Sequence, residues 1–349
     1  MILKELSEAR GVSGDEGRVR EIILAAVEEN VDEHRADALG NLICLRKARR
    51  KGAAGAWPTK VMVAAHMDEI GLIITGINKD GTLRFDKVGG IDDRVLLSQQ
   101  VLVGAEAVPG VIGSRPIHLT PAAERGRVVD SHKTAIDIGA KDAADAEKRV
   151  HPGDYASFRT SFEELDEKGL RTVKGKALDD RVGCTLLVEL LKGDYSFDLY
   201  AVFTTQEEVG LRGATVAAYA VDPDVGFALE GTTCDDLPKK EDISPVTELG
   251  KGPAITFMDR SVIADRRLVK LLVETAEKLG IPYQFKRAVT GGTEGGAIHL
   301  TREGVPSAVV SVPVRYIHAP VSLLSLSDVD HTLELMQGAL QALEGGLES

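Results

Sequence analysis

No apolar run in this chain approaches the roughly 20 residues that a membrane-spanning helix needs. The opening residues Met1–Glu8 lack the long apolar stretch of a secretory leader. Cysteine is scarce as well. Cys44, Cys184 and Cys234 are odd in number and widely spaced, which excludes a disulfide framework, and no C-x-x-C pair points to a structural zinc. They read as small buried hydrophobes in a reducing cytoplasm. Positive charge is outweighed, with 42 Lys and Arg against 54 Asp and Glu and a formal net charge of −12. Such a balance makes a poor surface for nucleic acid or for an anionic membrane. Aromatic residues make up 4% of the chain and Trp57 is the single tryptophan, so platforms for stacking sugars are few.

What is present is apolar material enough for a sizeable core, 43% of 349 residues, in a chain longer than one typical domain. Helical patterns open and close it. Ser13 and Glu16 have capping-box spacing ahead of Val19, Ile22, Ile23, Ala26 and Val27, which share a helical face. Ser327 and Asp330 repeat that spacing ahead of Leu333, Met336, Leu340 and Leu343. Between Asp265 and Gly280 a further helix carries Leu268, Leu271, Leu272 and Leu279, with Gly280 and Pro282 as stop signals.

Four short apolar runs alternate with the helices: Val61–Ala65, Leu199–Phe203, Val225–Leu229 and Ala308–Val312. Continuous apolarity is what a parallel strand covered on both faces requires, so the larger part reads as an α/β domain. From about Gly71 to Phe162 the chain is instead strand-like, rich in Gly and Val, with turns such as Asn78–Gly81 and His151–Asp154. This predicts a small β domain, residues 71–162, inserted into a discontinuous α/β domain of residues 1–70 and 163–349. The basic, Gly/Ala-rich stretch from Lys47 to Pro58 suggests no chemistry.

The strand ends carry the chemistry. After Val61–Ala65 come His66, Asp68 and Glu69; after Leu199–Thr205 come Gln206, Glu207 and Glu208; Val225–Leu229 runs into Glu230; Ala308–Val312 is followed by Arg315, Tyr316 and His318. Asp179-Asp180-Arg181 sits at the start of a helix containing Leu186, Leu187, Leu190 and Leu191. Singly these are ordinary: a surface His-x-Asp, a solvated glutamate pair, a helix cap. Jointly they are not, because ligands of open α/β sheets gather at the carboxyl ends of strands. Two imidazoles with three carboxylates suit zinc, cobalt or manganese better than calcium or magnesium. The other histidines, His34, His118, His132, His151, His299 and His331, lie in no such pattern.

Five motifs in order resemble those of the M42 aminopeptidases, the family of the TET, glutamyl and deblocking aminopeptidases. They are Ala65–Gly71, Ala177–Gly183, Gln206–Ala214, Gly291-Gly292-Thr293 and Arg315–Pro320, and the resemblance runs from about Leu6 to Leu343. It implies a co-catalytic metallopeptidase-like sheet covered by helices, with an inserted β-barrel-like domain for dimer formation. The activity it implies is removal of amino-terminal residues from peptides by a cytoplasmic enzyme.

The resemblance further implies two divalent ions per subunit, zinc or cobalt, bridged by Asp179, with Asp180 as the adjacent alternative. His66 and Glu230 would complete one site, and Glu208 and His318 the other. Glu207 would be the general base and Asp68 the residue that orients His66. Gly292, Thr293, Arg315 and Tyr316 are candidates for binding substrate, and six dimers would close into a dodecamer. In two places the chain departs from many relatives: Glu230 stands where they carry Asp, and Glu294-Gly295-Gly296 where they carry Asp-Ala-Gly. The rival readings are a metal-dependent deacylase or carboxypeptidase, a glycoside hydrolase, and a scaffold without activity.

Overall fold

The structure is a computed structural model and describes residues 2–50, 57–123, 125–238 and 245–347. The Lys47–Pro58 stretch therefore lies partly outside the described residues. Among those described, no helix is long and apolar enough to cross a membrane.

The four continuously apolar runs become the strands Lys60–His66, Asp198–Thr204, Val225–Cys234 and Ser307–Arg315. They pair in parallel, with Lys60–His66 between Asp198–Thr204 and Val225–Cys234, and Ser307–Arg315 beyond. Among the described residues they form the middle of an eleven-stranded mixed sheet in which the strands flanking them pair antiparallel and the outlying Gln284–Phe285 pairs parallel with Ala254–Thr256. Both faces of the middle strands are covered, which is why their apolar residues run on without alternation; Val61 to His66 are all buried.

On one face pack the helices Gly17–Val27, Leu178–Leu190, Arg266–Leu279 and Leu326–Leu343, in a cluster with Phe197, Phe203 and Phe227. Arg266–Leu279 begins as predicted, with Asp265 accepting the Arg267 N–H at 2.8 Å, and stops at Gly280, whose φ of 69° is left-handed. Leu268 and Leu272 are buried in it, whereas Leu279 is exposed.

Two capping expectations need correction. The cap of Leu326–Leu343 is Ser325, which accepts the Asp328 N–H, and Asp330 instead pairs with Arg171 at 2.7 Å. The pair Ser13 and Glu16 makes no capping box, because Gly17–Val27 begins without a side-chain cap. Both side chains go elsewhere.

Between Gly71 and Phe158 six short strands close into a barrel in the order Gly71–Ile77, Leu83–Val88, Ala135–Asp137, Val108–Gly113, Gln100–Val103, Tyr155–Phe158. Its core is separate from that of the large sheet, and includes Leu72, Leu83, Phe85, Val101, Ile112, Ile136 and Phe158. Here burial alternates residue by residue along Val108–Gly113, as a strand with one wet face requires.

Candidate active site

The register of the parallel strands sets polar residues at one level. Thr204 pairs with His66 and Ala228 with Ala64, so Glu230, two residues on, stands level with His66. Glu230 is not at a strand end as the sequence suggested. Its strand continues to Cys234 and pairs Glu230 with Ser311, while the neighbouring strand is the one that stops, at His66. Glu207 and Glu208 also lie beyond their strand, in a turn that follows Gln206 at a left-handed φ of 55°. The turn, and not strand alternation, separates the two side chains.

Two donor groups result, sharing one residue. His66, Asp179 and Glu230 form the first, and Asp179, Glu208 and His318 the second; within each group the ligand atoms lie within 4.8 Å of one another. His66 Nε2 is 3.5 Å from Asp179 Oδ1 and 3.8 Å from Glu230 Oε2. His318 Nε2 is 3.7 Å from Asp179 Oδ2 and 3.3 Å from Glu208 Oε2. The two oxygens of Asp179 thus face two different His–Glu pairs. Asp180, joined to Asp179 by a cis peptide bond, turns away: it accepts the His66 N–H at 3.2 Å and the Gly183 N–H at 3.0 Å.

Glu207 Oε2 lies 3.9 Å from His66 Nε2, on the side of the first group. Asp68 is fully buried behind the site. Its oxygens accept the Glu207 N–H at 3.0 Å and the Glu208 N–H at 3.1 Å, and Oδ1 is 3.4 Å from His66 Nδ1. A loop next to the barrel reaches the second group, where a Cβ on Gly90 would lie 3.2 Å from His318 Nδ1.

Charge in the site is unbalanced. Burial pushes Glu207 up to about 8 against the pull of His66, with repulsion from Glu208 added. Burial also pushes Glu208 to about 7 and Glu294 to about 8, and it raises Glu230 and Asp180 far above the usual carboxyl range. Asp179 moves down instead, because His318 and His66 outweigh its burial, and Asp68 moves down against its own burial through His66 and its hydrogen bonds. Asp179 in turn lifts His318 to about 9. So many carboxyls buried around two imidazoles resist ionising together, and divalent cations bound among them would favour the ionised forms. The spacing fits as well. Zinc bonds of 2.0–2.1 Å in tetrahedral array put neighbouring ligand atoms roughly 3.3 Å apart, close to the 3.3–3.8 Å found here.

A cavity of about 440 Å³ opens onto both groups, lined also by Leu211, Thr232, Thr233, Lys286, Thr290 and Ile317. Gly292 and Thr293, two of the residues the sequence offered for substrate, also line it. Arg315 is engaged elsewhere, in a two-pronged ion pair with Asp236 at 2.6 and 2.8 Å, and neither it nor Tyr316 is part of the lining. Sequence reading missed Thr232 and Lys286. It also missed what Glu294 does: fully buried, it contacts Thr204 through its carboxyl and donates its N–H to Glu230 Oε1 at 2.8 Å. Thr232 could have been found, since it lies two residues beyond Glu230 on one strand and so on the same face. Lys286 left no local signal, and Glu294, marked only as a departure beside Gly291-Gly292-Thr293, gave no sign of its partners.

The description "M42 glutamyl aminopeptidase" matches residues 40–335. The chain belongs to that family. Its members are aminopeptidases, so this M42 protein is a peptide hydrolase of the exopeptidase kind. The lysyl aminopeptidase of Pyrococcus furiosus is 36% identical, the alignment covering 98% of this chain and 97% of the relative. A TET aminopeptidase from a marine sediment archaeon of the Thaumarchaeota superposes with a TM-score of 0.92 at 35% identity, over 99% of this chain and 97% of that one. A TET1 peptidase of Pyrococcus horikoshii, described as assembling into a tetrahedron or a large octahedral shell, gives 0.84 at 36% identity over 97% and 98%. With these neighbours, the combination of a large mixed sheet and a closed six-stranded barrel is the M42 fold.

Proposed function

We propose that this chain removes amino-terminal residues from peptides at a two-metal site with Glu207 as general base. One observation carries the reading: the two carboxylate oxygens of Asp179 point at separate His–Glu pairs, at 3.5 and 3.7 Å. His66 and Glu230 hold the first position, Glu208 and His318 the second, and Asp179 both. Divalent ions bound there, zinc or cobalt for this mixture of imidazole and carboxylate, would lower the pKa of a shared water and polarise the scissile carbonyl.

The side chains supply the rest. Glu207, whose Oε2 lies 3.9 Å from His66 Nε2 and outside both donor groups, takes the proton of the attacking water and returns it to the leaving nitrogen as the general base. Asp68 fixes the imidazole of His66 and the amides of Glu207 and Glu208. Thr232, Gly292 and Thr293 shape the wall against which the first residue of the substrate lies.

Assembly belongs to the same proposal. The barrel forms the dimer contact, and six dimers close into a shell of about 450 kDa at 37.3 kDa per chain. The tetrahedron described for the TET1 peptidase supports it.

Substrates with free and acetylated amino groups separate this reading from the deacylase and carboxypeptidase alternatives. Turnover of leucyl- or glutamyl-p-nitroanilide, with no hydrolysis of the acetylated forms, is expected. Equal cleavage of the blocked substrates would contradict it.

A further inference from the structure

The spacing of Ser13 and Glu16 suits a capping box, yet the helix that follows is uncapped by either side chain. Both residues are buried, and both reach the turn that carries Glu207 and Glu208. The Ser13 hydroxyl donates to Asp68 Oδ2 at 2.6 Å, the same oxygen that accepts the Glu208 N–H. Glu16 Oε1 accepts the Gly14 N–H at 2.7 Å and the Gln206 N–H at 3.1 Å. Gln206 is the residue before Glu207, and its left-handed φ of 55° is costly for a side chain with a Cβ, so something must hold it there.

The segment that delivers these two groups is itself tied down along its length. The Gly11 N–H donates to Glu69 Oε1 at 3.0 Å, and the Ser13 N–H donates to the Glu69 carbonyl at 3.2 Å. Lys176 Nζ donates to the Ala9 carbonyl at 2.6 Å, and Arg181 Nη1 to the Leu6 carbonyl at 2.6 Å. Gly14, at a φ of 94°, passes so close to Tyr155 of the barrel that a Cβ would collide with the phenol oxygen. Residues 6–16 are thus a strap fastened to the large sheet and the barrel, with two polar hooks on the catalytic turn.

We propose that Ser13 and Glu16 are positioning residues of the hydrolytic site, holding the Gln206–Glu208 turn through Asp68 and through the Gln206 amide. The proposal rests on the roles given above to Glu207 and Glu208. Releasing one hook lets the turn drift, and a shift of the base relative to the attacked water weakens the chemical step more than substrate binding. The effect therefore falls on kcat.

The test compares Ser13→Ala, Glu16→Ala, Glu16→Gln and Glu207→Gln in the full chain reconstituted with zinc. Turnover of leucyl-p-nitroanilide, zinc content and melting temperature are measured for each. Ser13→Ala and Glu16→Ala should lower kcat roughly ten-fold with KM and zinc content near those of the parent. Glu16→Gln should keep kcat, because its amide oxygen still accepts both N–H groups. Parent-like kcat in Ser13→Ala and Glu16→Ala beside an inactive Glu207→Gln would overturn the strap alone. So would a Glu16→Gln as impaired as Glu16→Ala, or losses that simply follow zinc content or melting temperature. An active Glu207→Gln would overturn the reading of the site, and the strap would fall with it.

Discussion

Glu207 and Glu208 are neighbours in sequence with different surroundings, and that difference is testable. Glu208 Oε2 sits 3.3 Å from His318 within a donor group, whereas Glu207 lies outside both groups and 3.9 Å from His66. Glu207→Gln keeps shape and hydrogen bonding but removes the base. It should retain metal while turnover falls by roughly a hundred-fold or more. Glu208→Gln should lose metal from one position and recover part of its turnover in excess metal. Elemental analysis beside kinetics decides; the reverse pattern would exchange the two roles.

At this scale the sequence was informative because His66, Asp179, Glu208 and His318 each fall in a short motif, while Glu230 was marked only by the apolar run Val225–Leu229 before it. It left Asp179 and Asp180 undistinguished, since adjacent carboxylates look alike until the backbone turns one toward the imidazoles and the other toward the amides of His66 and Gly183. Glu294 escaped for a different reason. Its partners Thr204 and Glu230 are 90 and 64 residues away, and nothing local marks such a contact.

Among elements, the helix Arg212–Val221 is tied to the catalytic turn, the Gly213 N–H donating to the Thr205 carbonyl at 3.0 Å. Its second residue, Gly213, lies against Thr205 and Asn41, and Asn41 bonds to both: Oδ1 accepts the Thr205 N–H at 2.9 Å and Nδ2 donates to the Gly213 carbonyl at 3.1 Å. A Cβ here would collide with Asn41 Oδ1 and with the Thr205 backbone. Gly213→Ala should cost about 1–3 kcal/mol of stability, as overpacking does, and should lower kcat by displacing the turn. A melting temperature and turnover equal to the parent's would contradict that account of the turn.

Strands and helices were largely legible because burial on both faces, on one face, or along one helical stripe writes distinct periods into the sequence. Caps were less legible. Ser327 and Asp330 have the right spacing, but Ser325 is the cap; Ser13 and Glu16 have it too, and they serve a site more than fifty residues away in sequence. A polar side chain at a helix start bonds to whatever the tertiary fold presents, and spacing alone does not reveal which partner wins.

For the whole molecule, the barrel has its own apolar core and is joined to the large sheet by the strap and by the loop near His318. As the proposed dimer element it should be required for assembly. Light scattering of the intact chain should give a particle near 450 kDa, twelve chains of 37.3 kDa. A monomer at working concentration would contradict the shell while leaving the chemistry untouched.

The central claim is that the buried cluster of carboxyls exists to hold two metal ions that the reaction needs. Its most direct test is a titration of metal-stripped protein with zinc or cobalt, following hydrolysis of leucyl-p-nitroanilide against metal bound per chain. The account predicts negligible turnover in the stripped protein and recovery that is complete at two equivalents. Full turnover in protein shown by elemental analysis to be metal-free would contradict it.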